Sequence, residues 1–145
     1  MTIVFRLAWL KGGAGLRRGF RLPGACEWME EYVRRIVPFA PCRVEGGEPQ
    51  EGALLWALDR SPKARPMSSE ELAGKLESAI ASGAKRLEIL VGGPDGFKPG
   101  ELERLRPALR WSFGPPTFPH ELAAVAAAEQ TYRAWAIIRH IPYHR

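Results

Sequence analysis

The sequence predicts an α/β protein: a mostly parallel sheet with helices on both faces. Three observations lead there. Strand-like and helix-like stretches alternate along the chain, the order that strand–helix–strand units require. The run "ALLWALD" (53–59) is apolar almost throughout, as a strand covered on both faces must be. A length of 145 residues suits one compact domain, 1–145, with a single core.

The elements follow in order. "TIVFRLAW" is rich in β-branched and aromatic residues and reads as a first strand. "KGGAGLRRGFRLPG" is a loop of glycine and arginine. Pro23 and Gly24 then lead into a helix over "EWMEEYVRRIV", which Pro38 and Pro41 close. "RVEGGEPQEG" is turn-forming, with room for a short strand between Cys42 and Glu45, and the strand 53–59 follows. "RSPKARPM" reads as a loop. Ser68 and Glu71 make a capping box for a helix reaching about Ser82, and Gly83 stands where a left-handed residue ends it. "RLEILV" is the next strand and delivers the chain into "GGPDGFKPG". "ELERLRPALR" is a short helix broken by Pro107, and "RWSF" a short strand. Pro119 opens a long helix over "HELAAVAAAEQTYRAWAIIRH", followed by Ile141, Pro142, Tyr143, His144 and Arg145.

Composition narrows the class. With 46% hydrophobic and 26% charged residues, disorder is excluded as a description of the whole chain. The start "MTIVFRLAWLKGG" is apolar only briefly and is interrupted by Arg6. It reads as neither a signal peptide nor a membrane span, so the cytoplasm is the expected location. Cys26 and Cys42 are too few for a disulfide framework, and His120, His140 and His144 lack metal-ligand spacing, so no metal is expected. Net charge is +5. Early in the chain Arg6, Lys11, Arg17, Arg18, Arg21, Arg34 and Arg35 face only Glu27, Glu30 and Glu31. Both a nucleic-acid partner and a solubilising surface are compatible with that balance.

In parallel sheets, ligands bind at loops leaving the carboxyl ends of strands. Three loops qualify: after Asp59, after Val91 and after Phe113. "VGGPDG" has neither the spacing nor the lysine of a phosphate loop. Gly92 and Gly93 offer bare backbone to a ligand, or else simply form a tight turn with Pro94, Asp95 and Gly96. In "FGPPTFPH", Pro115, Pro116 and Pro119 stiffen the chain and withhold three amide donors, as a pocket wall or as a connector. Glu129 and Arg133 share a helix face, either as a site pair or as a surface ion pair worth about 0.3–0.5 kcal/mol. Tyr132 and Trp135 read as packing residues. None of this names a reaction.

Four stretches do. "LVGGPDG" (90–96), "TFPHEL" (117–122), "EQTYRAW" (129–135) and "PYHR" (142–145) closely resemble, in order and spacing, the bacterial 23S ribosomal RNA pseudouridine N3-methyltransferases, the RlmH family. "EYVRR" (31–35) and the pair Leu58-Asp59 fit more loosely. The resemblance implies a SPOUT-type α/β knot, with the C-terminal segment threaded as a trefoil. It also implies a homodimer, S-adenosyl-methionine as methyl donor, and 23S ribosomal RNA within the ribosome as substrate. Carried over by position, the cofactor contacts would be Leu58, Gly93, Gly114, Pro115, Pro116, Thr117, Phe118 and Pro119. The catalytic set would be His120, Glu129, Arg133, Tyr143, His144 and Arg145. In it, arginines would hold phosphate or a deprotonated base, His144 or Glu129 would relay the proton, and Tyr143 would stack on or bond the base. A dimer also follows from the expectation that a lone subunit leaves the last helix and tail uncovered.

The chain departs from the family pattern in three places. Gly114-Pro115-Pro116 stands where members usually carry Ser-Lys-Met or similar, "LDRSPKARPM" lacks the usual glycine after Leu-Asp, and the stretch 43–52 is shorter, without a helix. Two other readings compete: a related knotted methyltransferase for another RNA such as tRNA, and an RNA-binding module that has lost catalysis. The "PYHR" ending speaks against the first; Pro115 and Pro116 are the only hint of the second.

Overall fold

The computed structural model describes residues 1–114 and 116–143. Strands β1 (Thr2–Leu7), β2 (Cys42–Gly46), β3 (Leu54–Leu58), β4 (Arg65–Pro66), β5 (Arg86–Val91) and β6 (Leu109–Ser112) form one sheet. Their order is β2-β1-β5-β3-β6-β4, and every pairing is parallel. Helices are α1 (Ala25–Ile36), α2 (Ser69–Ala81), α3 (Glu101–Leu105) and α4 (His120–Ile138).

Strand side chains alternate between faces, and here the faces are unequal. Ile3, Phe5, Leu7, Trp56, Leu87, Ile89 and Val91 pack in one cluster with Met29 and Ile36 of α1, Leu72 and Leu76 of α2, and the alanines of α4. On the other face, Ala57 and Leu90 meet only Leu102 of short α3, with Leu55, Phe97 and Leu105 around them. Helices therefore cover both faces, but three of the four cover one.

The thinner face carries a charge network. Arg6 sits opposite Leu90 and reaches diagonally to Glu88 on β5, Nε to Oε1 at 2.7 Å and Nη2 to Oε2 at 3.0 Å. Glu88 also accepts from Arg86 Nε at 2.7 Å and from the Gln50 N–H at 3.0 Å, and it is fully buried. Arg6 Nη1 donates to the Gly46 carbonyl at 2.7 Å. The connection 47–53 explains the cover. It must pass from β2 across β1 and β5 to β3, three strand spacings of about 4.8 Å each. Because β3 runs parallel to β2, the segment must also return along the sheet by about one strand length, which takes most of its reach at about 3.3–3.6 Å per residue. No helix fits, and the ribbon itself seals the network.

Several boundaries differ from the sequence prediction, most by one or two residues. β1 ends at Leu7, so Trp9 leaves the strand. Arg65 and Pro66, predicted as loop, pair with Trp111 and Ser112 as an edge strand, where proline's missing N–H faces away from the ladder. α3 ends at Leu105, ahead of Pro107, with Arg106 in the left-handed region at φ 51. α4 ends at Ile138 rather than at His140. The capping box is in place: Glu71 N–H donates to Ser68 Oγ at 3.0 Å.

Leu58 and Arg65 flank the same residue, Trp111, one on each side of β6. The loop 59–64 therefore has to cross β6 to join β3 to β4. This crossing is the arrangement that a threaded C-terminal segment needs.

Glycine is sterically required at Gly46. A Cβ there would lie 1.9 Å from the Leu10 carbonyl oxygen, which accepts the Gly47 N–H at 3.2 Å. Gly46→Ala is expected to push the 8–12 loop away at a cost of about 1–3 kcal/mol. An unchanged urea midpoint would contradict this.

Candidate functional site

Loops leaving β3, β5 and β6 enclose a pocket of about 250 Å³. Its floor is apolar: Leu58, Val91, Trp111 and Phe113, with Phe97 and Phe118 at the sides. Trp111 and Phe113 meet edge-to-face at 5.2 Å, as do Phe113 and Phe118 at 5.7 Å. The floor follows from strand alternation, since Leu58 and Trp111 both face the large core.

The polar end begins at Asp59. Its N–H donates to the Trp111 carbonyl at 2.8 Å, which ties the loop to β6. Its carboxylate accepts from Ser61 Oγ at 2.6 Å, from Ser61 N–H at 3.0 Å and from Arg110 Nη1 at 3.4 Å. Burial alone would raise its pKa. The bonds from Ser61 and the charge of Arg110 outweigh burial and hold it below the ordinary 3.8, so it is an anion at neutral pH. Arg60, exposed at the mouth, lies against Gly96, where a Cβ would meet its Nη2 at 3.3 Å.

The turn 92–97 closes tightly. A Cβ on Gly92 would sit 3.0 Å from the Gly96 carbonyl carbon, and Gly96 N–H donates back to the Gly93 carbonyl at 2.9 Å. Gly93 is different. A Cβ there would meet nothing nearer than Trp9 Cβ at 3.9 Å, so the backbone borders open space. On the third loop, Gly114 is left-handed at φ 98 and donates to Ser112 Oγ at 3.0 Å.

His120, first residue of α4, lines the pocket and meets the Trp9 ring edge-to-face at 4.4 Å. Glu121 beside it is buried and accepts from the N–H groups of Arg21 and Leu22 at 2.9 and 3.0 Å. The glycine-arginine loop is thus fastened to the start of α4, where a carboxylate also favours the helix dipole.

Of the sequence-predicted residues, Leu58, Gly93, Gly114, Pro116, Phe118 and His120 come together around this pocket. Thr117 and Pro119 are exposed and do not line it. Glu129, Arg133 and Tyr143 form a second cluster, further along α4 by about 1.5 Å per residue. Glu129 Oε1 accepts from Arg133 Nε at 2.9 Å and from Tyr143 Oη at 3.2 Å, while Gln130 Nε2 donates to Oε2 at 2.8 Å. Arg133 also lies over the Tyr143 ring at 4.8 Å. Burial first, then hydrogen bonding to Tyr32 and the nearby Glu129 charge, push the Tyr143 phenol well above its usual 10.0, so it is a neutral donor. Glu129 opens on a cavity of about 350 Å³ that shares Trp111, Phe113 and Phe118 with the first pocket. One aromatic wall therefore separates the two clusters within a chain. Pro115, His144 and Arg145 lie outside the described residues.

Sequence reasoning missed Trp9, Asp59, Arg60, Arg110 and Glu121 as site residues. Asp59 alone left a signal, as the last residue of an apolar run; the others are joined only by long-range folding. Within the chain α4 is covered along one side, where Ala124, Ala127, Ala128, Thr131, Ala134, Trp135 and Ala136 are buried, whereas Leu122 is exposed. Both cysteines are inert thiols, pushed up by burial to about 11 (Cys26) and about 12 (Cys42). Among the described residues, no helix is long and apolar enough to cross a membrane.

Comparison with known proteins places this architecture. Residues 43–144 match the family described as "Predicted SPOUT methyltransferase". The chain is 47% identical over 113 residues to the Ribosomal RNA large subunit methyltransferase H of Thioalkalivibrio sulfidiphilus, covering 78% of this chain and 69% of that protein. It is 37% identical to the enzyme of the same name from Alkalilimnicola ehrlichii, over 88% of this chain and 94% of that one. A solved structure of a probable methylase family protein from Haemophilus influenzae Rd KW20 has the same fold, with a TM-score of 0.51 at 12% identity. The alignment covers 96% of this chain and 66% of that structure. With its all-parallel sheet, its strand-end pocket and these relatives, the chain belongs to the SPOUT methyltransferase family, in the group of the large-subunit ribosomal RNA methyltransferases H.

Proposed function

We propose that this protein methylates the N3 of a pseudouridine in 23S ribosomal RNA, on the assembled ribosome, with S-adenosyl-methionine as donor. It would act as a cytoplasmic homodimer of one domain, 1–145, with its C-terminal segment threaded as a trefoil knot. The observation that carries this reading is the pocket itself: Leu58, Gly93, Gly114, Pro116 and Phe118, from three separate loops, line one cavity.

The residues present fit the cofactor. Leu58, Trp111, Phe113 and Phe118 offer an apolar slot for a planar ring, and Asp59 and Ser112 offer polar partners beside it. Gly93 leaves room that a side chain would fill. Pro116 has no N–H to give, so carbonyls or other amides would have to hold the ring's edge. Arg60 at the mouth is suited to a carboxylate. When bound, the cofactor supplies an electrophilic methyl group on a sulfonium.

The remaining work is the protein's. Methylation at a ring nitrogen needs the N3 proton removed and the lone pair held in line with the methyl. Glu129, Arg133 and Tyr143 would act from the partner subunit, because within one chain an aromatic wall separates them from the pocket. There the Glu129 carboxylate orients the Arg133 guanidinium, whose charge stabilises a deprotonated base, and the neutral Tyr143 phenol donates a hydrogen bond. His144 or Glu129 would accept and relay the N3 proton, and Arg145 would hold phosphate or the deprotonated base.

Incubation with labelled S-adenosyl-methionine and ribosomes lacking the modification tests the reading. Label at one pseudouridine N3 of 23S RNA is expected; label confined to tRNA would refute it. Removing residues 142–145 should lower kcat at least about 100-fold while cofactor affinity persists. Unchanged turnover would take the tail out of the reaction.

A further inference from the structure

A larger cavity lies on the other side of the 92–97 turn. It measures about 610 Å³ and is bounded by the loops 8–12, 47–49 and 93–98. We propose that it seats one unstacked nucleotide of the RNA substrate, a neighbour of the methylated one, with the phosphodiester held by Lys11 and Lys98. The inference rests on the RNA-methyltransferase reading above.

The walls are built in advance. Trp9 Nε1 donates to the Gly19 carbonyl at 2.6 Å, and its ring is fixed between Phe20 and His120 at 6.1 and 4.4 Å. Loop 8–12 is held at both ends, Ala8 N–H on the Val91 carbonyl at 3.0 Å and Gly47 N–H on the Leu10 carbonyl at 3.2 Å. Trp9, Leu90, Val91 and Phe97 make the apolar part, suited to the face of a base.

Charge decides what enters. Half of the charged side chains in the lining are already engaged. Arg6 is bonded to Glu88, Glu48 lies 3.4 Å from Arg104, and Glu101 accepts the Lys98 backbone N–H at 3.0 Å. Among the described residues, the ammonium groups of Lys11 and Lys98 have no carboxylate partner, while Asp95 and Glu101 have no cationic one. Arg18 and Arg21, exposed on the adjoining loop, also lack an acidic partner among these residues and continue the positive surface. Unpaired cations around an apolar slot fit a phosphate joined to a flat ring.

Geometry decides which nucleotide. Val91, Gly93, Pro94, Gly96 and Phe97 line both cavities, so backbone stands between them. A base seated in the larger cavity cannot present a ring nitrogen in line with a methyl group in the smaller one. The seat is therefore for the nucleotide next to the acceptor, pulled out of its stack so that the acceptor is presented at the shared rim.

The test measures binding of unmethylated ribosomes to the full-length protein, with donor affinity measured in parallel. K11A/K98A should bind ribosomes about tenfold more weakly, with a salt slope smaller by about 1 for each lysine, and donor affinity unchanged. Gly12→Leu should weaken ribosome binding comparably without altering the salt slope, because Gly12 lines the cavity and a Cβ there meets nothing within 4 Å. K75A/K85A, which removes equal charge outside both cavities, should match the wild type. If K11A/K98A binds like wild type, if K75A/K85A falls as far, or if only the lysine pair matters and Gly12→Leu does not, the seat is refuted while methylation by the wild type leaves the broader reading intact. A wild type that neither binds nor methylates the ribosomes overturns both.

Discussion

Replacing Glu88 by alanine is expected to remove about 3–5 kcal/mol of stability at neutral pH. The loss comes from what stays behind. Arg6 is only 7% exposed, and without Glu88 its guanidinium keeps Glu45 at 3.3 Å but loses a bidentate partner inside the sheet. Gln50 N–H and Arg86 lose the same acceptor. Against a total stability of about 5–15 kcal/mol, this approaches unfolding. The double change R6M/E88L should cost less than Glu88→Ala alone, since it leaves no buried unpaired charge. Urea unfolding of both variants measures the comparison, and a milder Glu88→Ala would sink it. Burial alone would raise the Glu88 pKa, but Arg6, Arg86 and Gln50 more than offset it and hold it below the ordinary 4.5. A depressed folded-state value means stability fully present above pH 4.5 and lost as the pH falls from there through the folded value. The wild type should therefore weaken with acid in that window, and the alanine variant should show less of this loss.

Gly93→Val should cost donor affinity at least about 100-fold, some 2.7 kcal/mol, with little change in folding stability, within about 0.5 kcal/mol. The separation of the two effects is the point. Gly93 does not need a left-handed conformation, and a Cβ there clears every neighbour to 3.9 Å, so the turn can carry a side chain. That side chain has open space to occupy at a residue that lines the pocket. Calorimetry with S-adenosyl-methionine beside a urea curve distinguishes the cases. Intact binding would mean that the ligand does not approach Gly93; a collapsed fold would mean that the turn is tighter than its contacts indicate.

How far the sequence carries can be judged element by element. β3 and β5 were legible because a strand buried on both faces cannot hide its apolar run, and α2 because Ser68 and Glu71 announce its start. β4 was not legible, since Arg65 and Pro66 are exposed, show no strand pattern and are paired only by virtue of where β6 arrives. Chain direction alone located the three pocket loops, because the carboxyl ends of parallel strands share one edge of the sheet. The partners inside those loops were invisible for a physical reason. Asp59 with Arg110, Trp9 with His120, and Glu121 with the Arg21 amide are joined across large sequence separations. No local periodicity records such contacts. The separation of Glu129, Arg133 and Tyr143 from His120 is of the same kind: helical spacing puts His120, Glu129 and Arg133 on one helix with Tyr143 just past its end, yet only the packing of Phe113 and Phe118 reveals the wall between them.

The position of β6 between β3 and β4 bears on how the molecule comes to exist. Two strands adjacent in sequence must leave a gap for a third made long after them, and the loop joining them must already span it. Such non-local assembly is slow and keeps strand edges exposed while it waits. β6 and α4 also follow the other described elements in chain order, and they bring Trp111, Phe113 and His120 to the pocket. The cavity cannot close before they are in place, and a ligand that fills it favours the finished topology over every partly assembled one. Supply of that small molecule in the cell would then govern the yield of folded protein as well as its turnover.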